Sequence, residues 1–262
     1  MLAQVLLACA GTGFADSTLI VAKWQQEALD AGKRGMKLVI YRYDPDHDTR
    51  PREQVYAVDP DAVGPMLLDA LVWIHEHLDS SLAFRRSCRE GVCGSDAMNV
   101  NGRNRLACIT PLAELGRRVV LRPLPGMPVI RDLIVDLQGF FDHYRDQQPW
   151  LQPASLPEVE QLQSPAQRLV LGDAGDCMLC GCCTSACPTA WWHPDTFAGP
   201  AALLADWRFV ADSRDVAGES RLQRMTTDGS AFRCHGVMNC AAVCPRGLNP
   251  AAAIVALKQR MA

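Results

Sequence analysis

Cysteine is the residue type here that could do chemistry, and its spacing says which chemistry. The 262 residues hold 12 cysteines, and all but Cys9 and Cys108 fall in three tight runs: Cys88 and Cys93, Cys177 to Cys187, and Cys234 to Cys244. Disulfides join distant segments, whereas thiols bunched within a few turns suit ligation of one object. The spacing predicts metal or cluster binding in preference to disulfides.

The middle run, CMLCGCCTSACP over 177–188, places Cys177, Cys180, Cys183, Cys187 and Pro188 on the grid C-x2-C-x2-C-x3-C-P. That is the bacterial ferredoxin run for a [4Fe–4S] cluster. Cys182 lies off the grid and reads as a small buried hydrophobe. The last run, CHGVMNCAAVCP over 234–245, sits on the same grid except that Val237 occupies the second cysteine's place. In two-cluster ferredoxins the fourth cysteine of each run ligates the other run's cluster. This crossing gives Cys177, Cys180, Cys183 and Cys244 as a complete [4Fe–4S] set, and leaves Cys187, Cys234 and Cys240 as a set of three. A cubane corner without a thiolate is easily lost, so three cysteines suit [3Fe–4S]. The alternative is a degraded site that holds nothing.

The first constellation is CREGVCGSDAMNVNGRNRLAC, in which Cys88 and Cys93 stand at C-x4-C, Asp96 follows after two residues and Cys108 after eleven more. Plant-type [2Fe–2S] spacing is C-x4-C-x2-C…C, so Asp96 takes the third cysteine's place. It is either an oxygen ligand, harder than thiolate, or a turn-capping residue with the fourth ligand elsewhere. Gly91 and Gly94 suit a loop that curls closely round a cluster. Arg85, Arg86 and Arg89 either balance the cluster's charge or only solvate the loop. A zinc site or plain buried thiols remains the competing reading of the whole loop.

The elements that must position these runs differ between the two halves of the chain. KLVIYRY (37–43), QVYAV (54–58), AMNV (97–100), RLAC (105–108) and RVVLRP (118–123) read as strands, and MLLDALVWIHEHL (66–78) has apolar residues at helical spacing. A small sheet with one crossing helix is an α+β domain. VIRDLIVDLQGFFDHYR (129–145) reads as an amphipathic helix leaving it, and the Pro-, Gln- and Ser-rich stretch that follows reads as a linker. AALLADWRFVADSR (201–214) and PAAAIVALKQRMA (250–262) predict helices round the later runs. The expected division is an extension over 1–35, a [2Fe–2S] domain over 36–146, a linker over 147–170 and a helical two-cluster domain over 171–262.

Composition fits a globular protein, 48% hydrophobic and 21% charged, with 26 basic against 29 acidic residues. There is no basic surplus to suggest nucleic acid as the main partner. The leading MLAQVLLACAGTGFA is apolar but too short to span a membrane, and it lacks the basic start of a secretory signal. It reads as a peripheral extension, with Met36 as an alternative working start and Cys9 unassigned. GxGxxG, HExxH and a Ser/His/Asp set are all absent, so a relay that joins a two-electron organic donor to a distant acceptor needs the donor's cofactor in a partner.

SCREGVCGSDAMNVNGRNRLACITP, RPLPGMPVIRDLIVD, CPTAWWHPD, DSRD and CHGVMNCAAVCPRGLNP together resemble the iron–sulfur subunit of succinate dehydrogenase, respiratory complex II. The resemblance runs from Lys37 to the C-terminus. It implies a plant-type ferredoxin-like (β-grasp) domain followed by an all-α bacterial-ferredoxin-like domain. It also implies a peripheral subunit on the cytoplasmic face of the inner (plasma) membrane, between an FAD-containing flavoprotein and membrane-anchor subunits. Electrons from succinate would pass singly through [2Fe–2S], [4Fe–4S] and [3Fe–4S] to a quinone at the anchor interface. The family's quinone pocket maps onto Pro188, Trp192, His235 and Val237. Each has a plainer reading: Pro188 ends a ligand loop, Trp191 and Trp192 are core, and His235 is structural. The rivals are the iron–sulfur subunit of fumarate reductase, that of another flavin-linked oxidoreductase, and a zinc-stabilised interaction module. Asp96 and the Trp pair favour the succinate-oxidising member, since fumarate reductases usually carry a cysteine at the Asp96 position and lack the Trp pair.

Overall fold

The computed structural model describes residues 35–155, 158–228 and 230–262; the apolar leading stretch and Cys9 lie outside them. Strand β1 (Met36–Arg42) pairs antiparallel with β2 (Arg52–Val58) through the turn-rich segment after Arg42. Helix α1 (Leu67–His77) crosses next, burying Leu67, Leu68, Leu71 and Ile74 as their helical spacing requires. Strands β3 (Ala97–Val100), β4 (Arg103–Leu106) and β5 (Arg118–Arg122) complete a sheet of order β2-β1-β5-β3-β4. Strand β1 runs parallel to β5 at its centre. Leu38, Ile40, Tyr56, Met98, Leu106, Val119 and Leu121 form the core between sheet and helix. This is the expected β-grasp arrangement. Residues 107–108 leave the predicted RLAC strand, turning into a 3-10 helix at Ala107–Ile109.

The helix expected over 129–145 forms only in its second half. Strands β6 (Val129–Arg131) and β7 (Ile134–Val135) make a tight hairpin, and helix α2 begins at Gln138 and ends at Asp146. The reason lies in Asp132, at the turn with φ 45° and 1% exposed. Its carboxylate accepts from Arg42 Nε at 3.0 Å and from the amides of Tyr43 and Ala83, each at 2.8 Å. The backbone joins in, because Asp132 N–H donates to the Tyr43 carbonyl and Leu133 N–H to that of Ala83. An amide held by a distant strand is not available to a helix. Arg42 also donates to Tyr56, Asp79 and Ser81, so one buried guanidinium binds sheet, hairpin and the segment leading to Cys88.

The second half is helical. Helix α3 (Pro165–Leu171) carries a capping box from Ser164 and Gln167, so the predicted linker ends in a short helix. Helices α4 (Cys182–Ser185) and α5 (Pro188–Trp192) are single turns within and after the middle cysteine run. Helix α6 (Gly199–Val210) is the centre of this half, flanked by α7 (Gly218–Asp228), the short α8 (Asn239–Ala242) and α9 (Pro250–Met261). Phe197, Leu203, Val210, Met225, Ile254 and Leu257 form its core. Arg221, fully buried, donates to the carbonyls of Gln147, Gln148 and Trp150 at 2.8–2.9 Å and to Asp215 at 3.2 Å. The start of the Pro-rich connection is thereby fastened to the helical half. No helix among the described residues is long and apolar enough to cross a membrane.

Candidate metal centres

The first loop runs between α1 and β3 and is held by arginines on either side of Cys88. Arg85 donates to the Val135 carbonyl at 2.8 Å, and Arg89 pairs with Asp69 at the start of α1. These contacts give two of the unassigned arginines structural work. Within the loop the amides of Glu90, Val92 and Cys93 approach Cys88 Sγ at 3.3–3.5 Å. Arg89, Gly91 and Gly94 all have positive φ, which turns those amides inward. Asp96 is 2% exposed, and its Oδ2 accepts from Cys108 N–H at 2.5 Å. Its Oδ1 is buried with no hydrogen-bond partner. A buried, orphaned carboxylate oxygen is costly unless something else meets it. The residues therefore fit a cation-bearing group bounded by Cys88, Cys93, Asp96 and Cys108. Burial and the Asp96 carboxylate push the Cys108 thiol up to about 12. Burial also raises Cys93, but hydrogen bonds from Ser95 and Cys88 outweigh it and bring it down to about 7.

Four cysteines from two separate runs meet on the second site. Cys177, Cys180, Cys183 and Cys244 line one small cavity, with Ala201, Leu204 and Leu248 among its apolar walls. Four soft donors round an apolar chamber fit an iron–sulfur cubane. The off-grid Cys182 is fully buried between Leu124 and Val135. A hydrogen bond from its thiol draws Cys180 down to about 7 against the effect of burial. Burial raises Cys177 and, more strongly, Cys183.

The third set lies beside the second. Burial raises the Cys240 thiol, and so do nearby Cys187 and Cys234. The loop that carries Val237 keeps the backbone of its complete counterpart. Leu179 and Gly181 stand two and four residues after Cys177, Gly236 and Met238 two and four after Cys234, and all have φ between 57° and 78°. Each run follows a 3-10 turn (Ala174–Asp176, Ala231–Arg233) and leads into a short helix, α4 or α8. A left-handed non-glycine such as Met238 costs roughly 1–2 kcal/mol. The loop thus keeps the same backbone course with Val237 in place of a thiol. Two residues that spacing alone did not single out fasten this loop. Lys258 donates to the Cys234 carbonyl at 2.8 Å and Asn239 to the Ala186 carbonyl at 3.1 Å.

The sets adjoin one another. Asp96 and Cys180 line a common small cavity, and Cys183 shares a buried cluster with Cys240. The residues expected to meet a quinone flank the third set, where α5 follows Cys187 and residues 235–238 follow Cys234. Trp192 is 65% and Val237 54% exposed, His235, Phe232 and Met238 are exposed too, and Pro188 is half-buried. Trp191 is occupied, donating to the Ser185 carbonyl at 2.8 Å. No described residue takes the Trp192 indole N–H as a hydrogen-bond donor.

A β-grasp domain with one cysteine loop, followed by a helical domain with two, defines a two-domain ferredoxin-type iron–sulfur protein. Residues 37–142 match the 2Fe-2S iron-sulfur cluster binding domain, and residues 176–249 match the 4Fe-4S dicluster domain. The succinate dehydrogenase iron-sulfur subunit of Coxiella burnetii is 50% identical over 229 residues, covering 86% of this chain and 97% of that one. Its counterpart from Paracoccus denitrificans is 47% identical over 223 residues, covering 85% and 86%. A chain of the Mycobacterium smegmatis Sdh1 complex in the apo form superposes with a TM-score of 0.80 at 25% identity, covering 87% of this chain and 95% of that one. The chain belongs to the succinate dehydrogenase iron–sulfur subunit family.

Proposed function

We propose that this chain is the electron-relay subunit of a succinate:quinone oxidoreductase, in which succinate is oxidised on the FAD of a partner flavoprotein and a quinone is reduced at a membrane anchor. The observation that carries the reading is the unbroken adjacency of the three cysteine sets, from Asp96 to Cys180 and from Cys183 to Cys240. Bound clusters would supply one-electron redox chemistry at each set. Cys88, Cys93, Asp96 and Cys108 would hold [2Fe–2S], with Asp96 Oδ1 as the oxygen ligand. Cys177, Cys180, Cys183 and Cys244 would hold [4Fe–4S], and Cys187, Cys234 and Cys240 would hold [3Fe–4S]. The amides on Cys88 Sγ favour the reduced, more negative state of whatever that sulfur binds.

At the far end Trp192 offers an indole N–H to a quinone carbonyl, with Pro188 and Val237 as apolar neighbours. His235 is an exposed imidazole, whose ring nitrogens could hydrogen-bond a quinone oxygen. The exposed apolar residues Trp192, Phe232, Val237 and Met238 suit burial against an anchor subunit, and the cytoplasmic face of the inner (plasma) membrane is the location this reading assigns. The test is to purify the tagged chain from membranes and assay succinate oxidation with a quinone and with a soluble dye as acceptors. The native complex should carry covalent flavin and use both acceptors. Trp192→Leu should lose quinone reduction and keep dye reduction. A tagged chain without a flavin partner, or a Trp192→Leu complex with undiminished quinone reduction, would contradict the corresponding half of the proposal.

A further inference from the structure

The point where the two domains meet between the first and second sets is a glycine. Gly94 lies between Cys93 and Asp96, with φ 69°. A Cβ built there would fall 2.7 Å from Cys180 Cβ and 3.0 Å from Cys180 Cα. Those atoms belong to a ligand residue and its backbone, not to the far end of a flexible side chain. Met178 Cγ stands 3.3 Å away on the same side. Any side chain at 94 must therefore move one cysteine loop off the other. Other contacts hold the surfaces together around this point. Asn104 donates to the Cys182 carbonyl at 3.0 Å, and Ser185 to the Pro125 carbonyl at 2.6 Å. Met178 and Cys180 pack on the core of the first domain. The loops are pressed together, and the absence of a Cβ at 94 sets how closely.

We propose that Gly94 is a positioning residue that fixes the separation between the first and second ligand sets, and so the coupling between the two groups they hold. This rests on the relay reading above. With clusters bound, a single electron would pass from the first set to the second with no bond made or broken and no proton required, so separation is the quantity that residue 94 would control. Gly91, in the same loop, meets only the Ile109 side chain, and Gly102, with φ 84°, has nothing within 4 Å. Gly102→Ala therefore carries the same left-handed strain without the obstruction.

The test uses the intact complex reduced with dithionite, so that it does not depend on the succinate-side partner. The spin relaxation of the reduced [2Fe–2S] signal is recorded with the [4Fe–4S] centre first oxidised and then reduced. In the native and Gly102→Ala complexes relaxation should quicken when the second centre is reduced. In Gly94→Ala, at equal iron content, that quickening should be diminished or lost. An unchanged quickening in Gly94→Ala overturns the proposal. If Gly94→Ala does not retain its clusters, the native complex decides, and a [2Fe–2S] signal indifferent to the second centre overturns it. Failure of the relay reading itself would show separately, in the oxidised spectrum and in succinate turnover.

Discussion

At the scale of single residues, the account turns on Asp96 and Val237, the two places where the ligand grids lack a cysteine. Asp96 carries one oxygen bonded to the Cys108 amide and one buried without a partner. Asp96→Ala should remove the [2Fe–2S] signal and about two irons per chain while sparing the other centres, as iron analysis and EPR of the reduced protein would show. Full iron in that variant would make Asp96 a cap and nothing more. Val237→Cys restores the missing thiol on a backbone that already matches the complete run. The oxidised protein should lose its paramagnetic [3Fe–4S] signal as the third centre takes up a fourth iron. A retained signal would refute the ligand crossing. Much of this site is legible in the sequence because ligand spacing is a local property, and the ferredoxin crossing rule extends it to a distant run. The sequence offers both readings of Asp96, ligand and cap, but not the bond from the Cys108 amide, which depends on where that amide points. Nor does it offer the contact at Gly94, which joins loops about eighty residues apart.

At the scale of elements, the segments that hold the loops are fixed by buried charges that pattern reading passes over. Val129, Ile130, Leu133 and Ile134 fit a helical period, yet the hairpin forms because Arg42, ninety residues before Asp132, takes its carboxylate. Arg221 sits on a helix whose polar residues read as solvent-facing, and it is fully buried. Arg221→Met should lower stability by about 3 kcal/mol or more by removing the buried cation that pairs with Asp215 and donates to the Gln147, Gln148 and Trp150 carbonyls, a loss that thermal melting would detect. An unchanged melting temperature would mean that the clamp does not hold the halves together. Asp79 gives the pH dependence. Burial raises its pKa, but Ser81, Tyr56 and Arg42 outweigh burial and hold the carboxylate well below its usual range. A native value below the unfolded one gives stability that is complete above about pH 4 and lost as pH falls further. Acid unfolding followed by circular dichroism should therefore steepen below about pH 4, and Asp79→Asn should be less stable at neutral pH and less sensitive to that acid step.

At the scale of the whole molecule, strand and helix order agree with the sequence reading except at the β6–β7 hairpin, because alternation and helical spacing report local burial directly. The connection reads as a linker by composition; its start is fastened to the helical half by Arg221, and the Asn104 and Ser185 bonds join the two domains. That docking puts the first cysteine set against the second, which adjoins the third, and Phe232, Val237 and Met238 are exposed in the third set's run. The measurement that tests this most directly is low-temperature EPR of the purified complex, as isolated and then reduced. Three different centres predict a signal from an oxidised [3Fe–4S] cluster before reduction, with [2Fe–2S] and [4Fe–4S] signals appearing only afterwards. A protein with full iron that is silent before reduction would contradict the account, because the third set would then hold four irons or none.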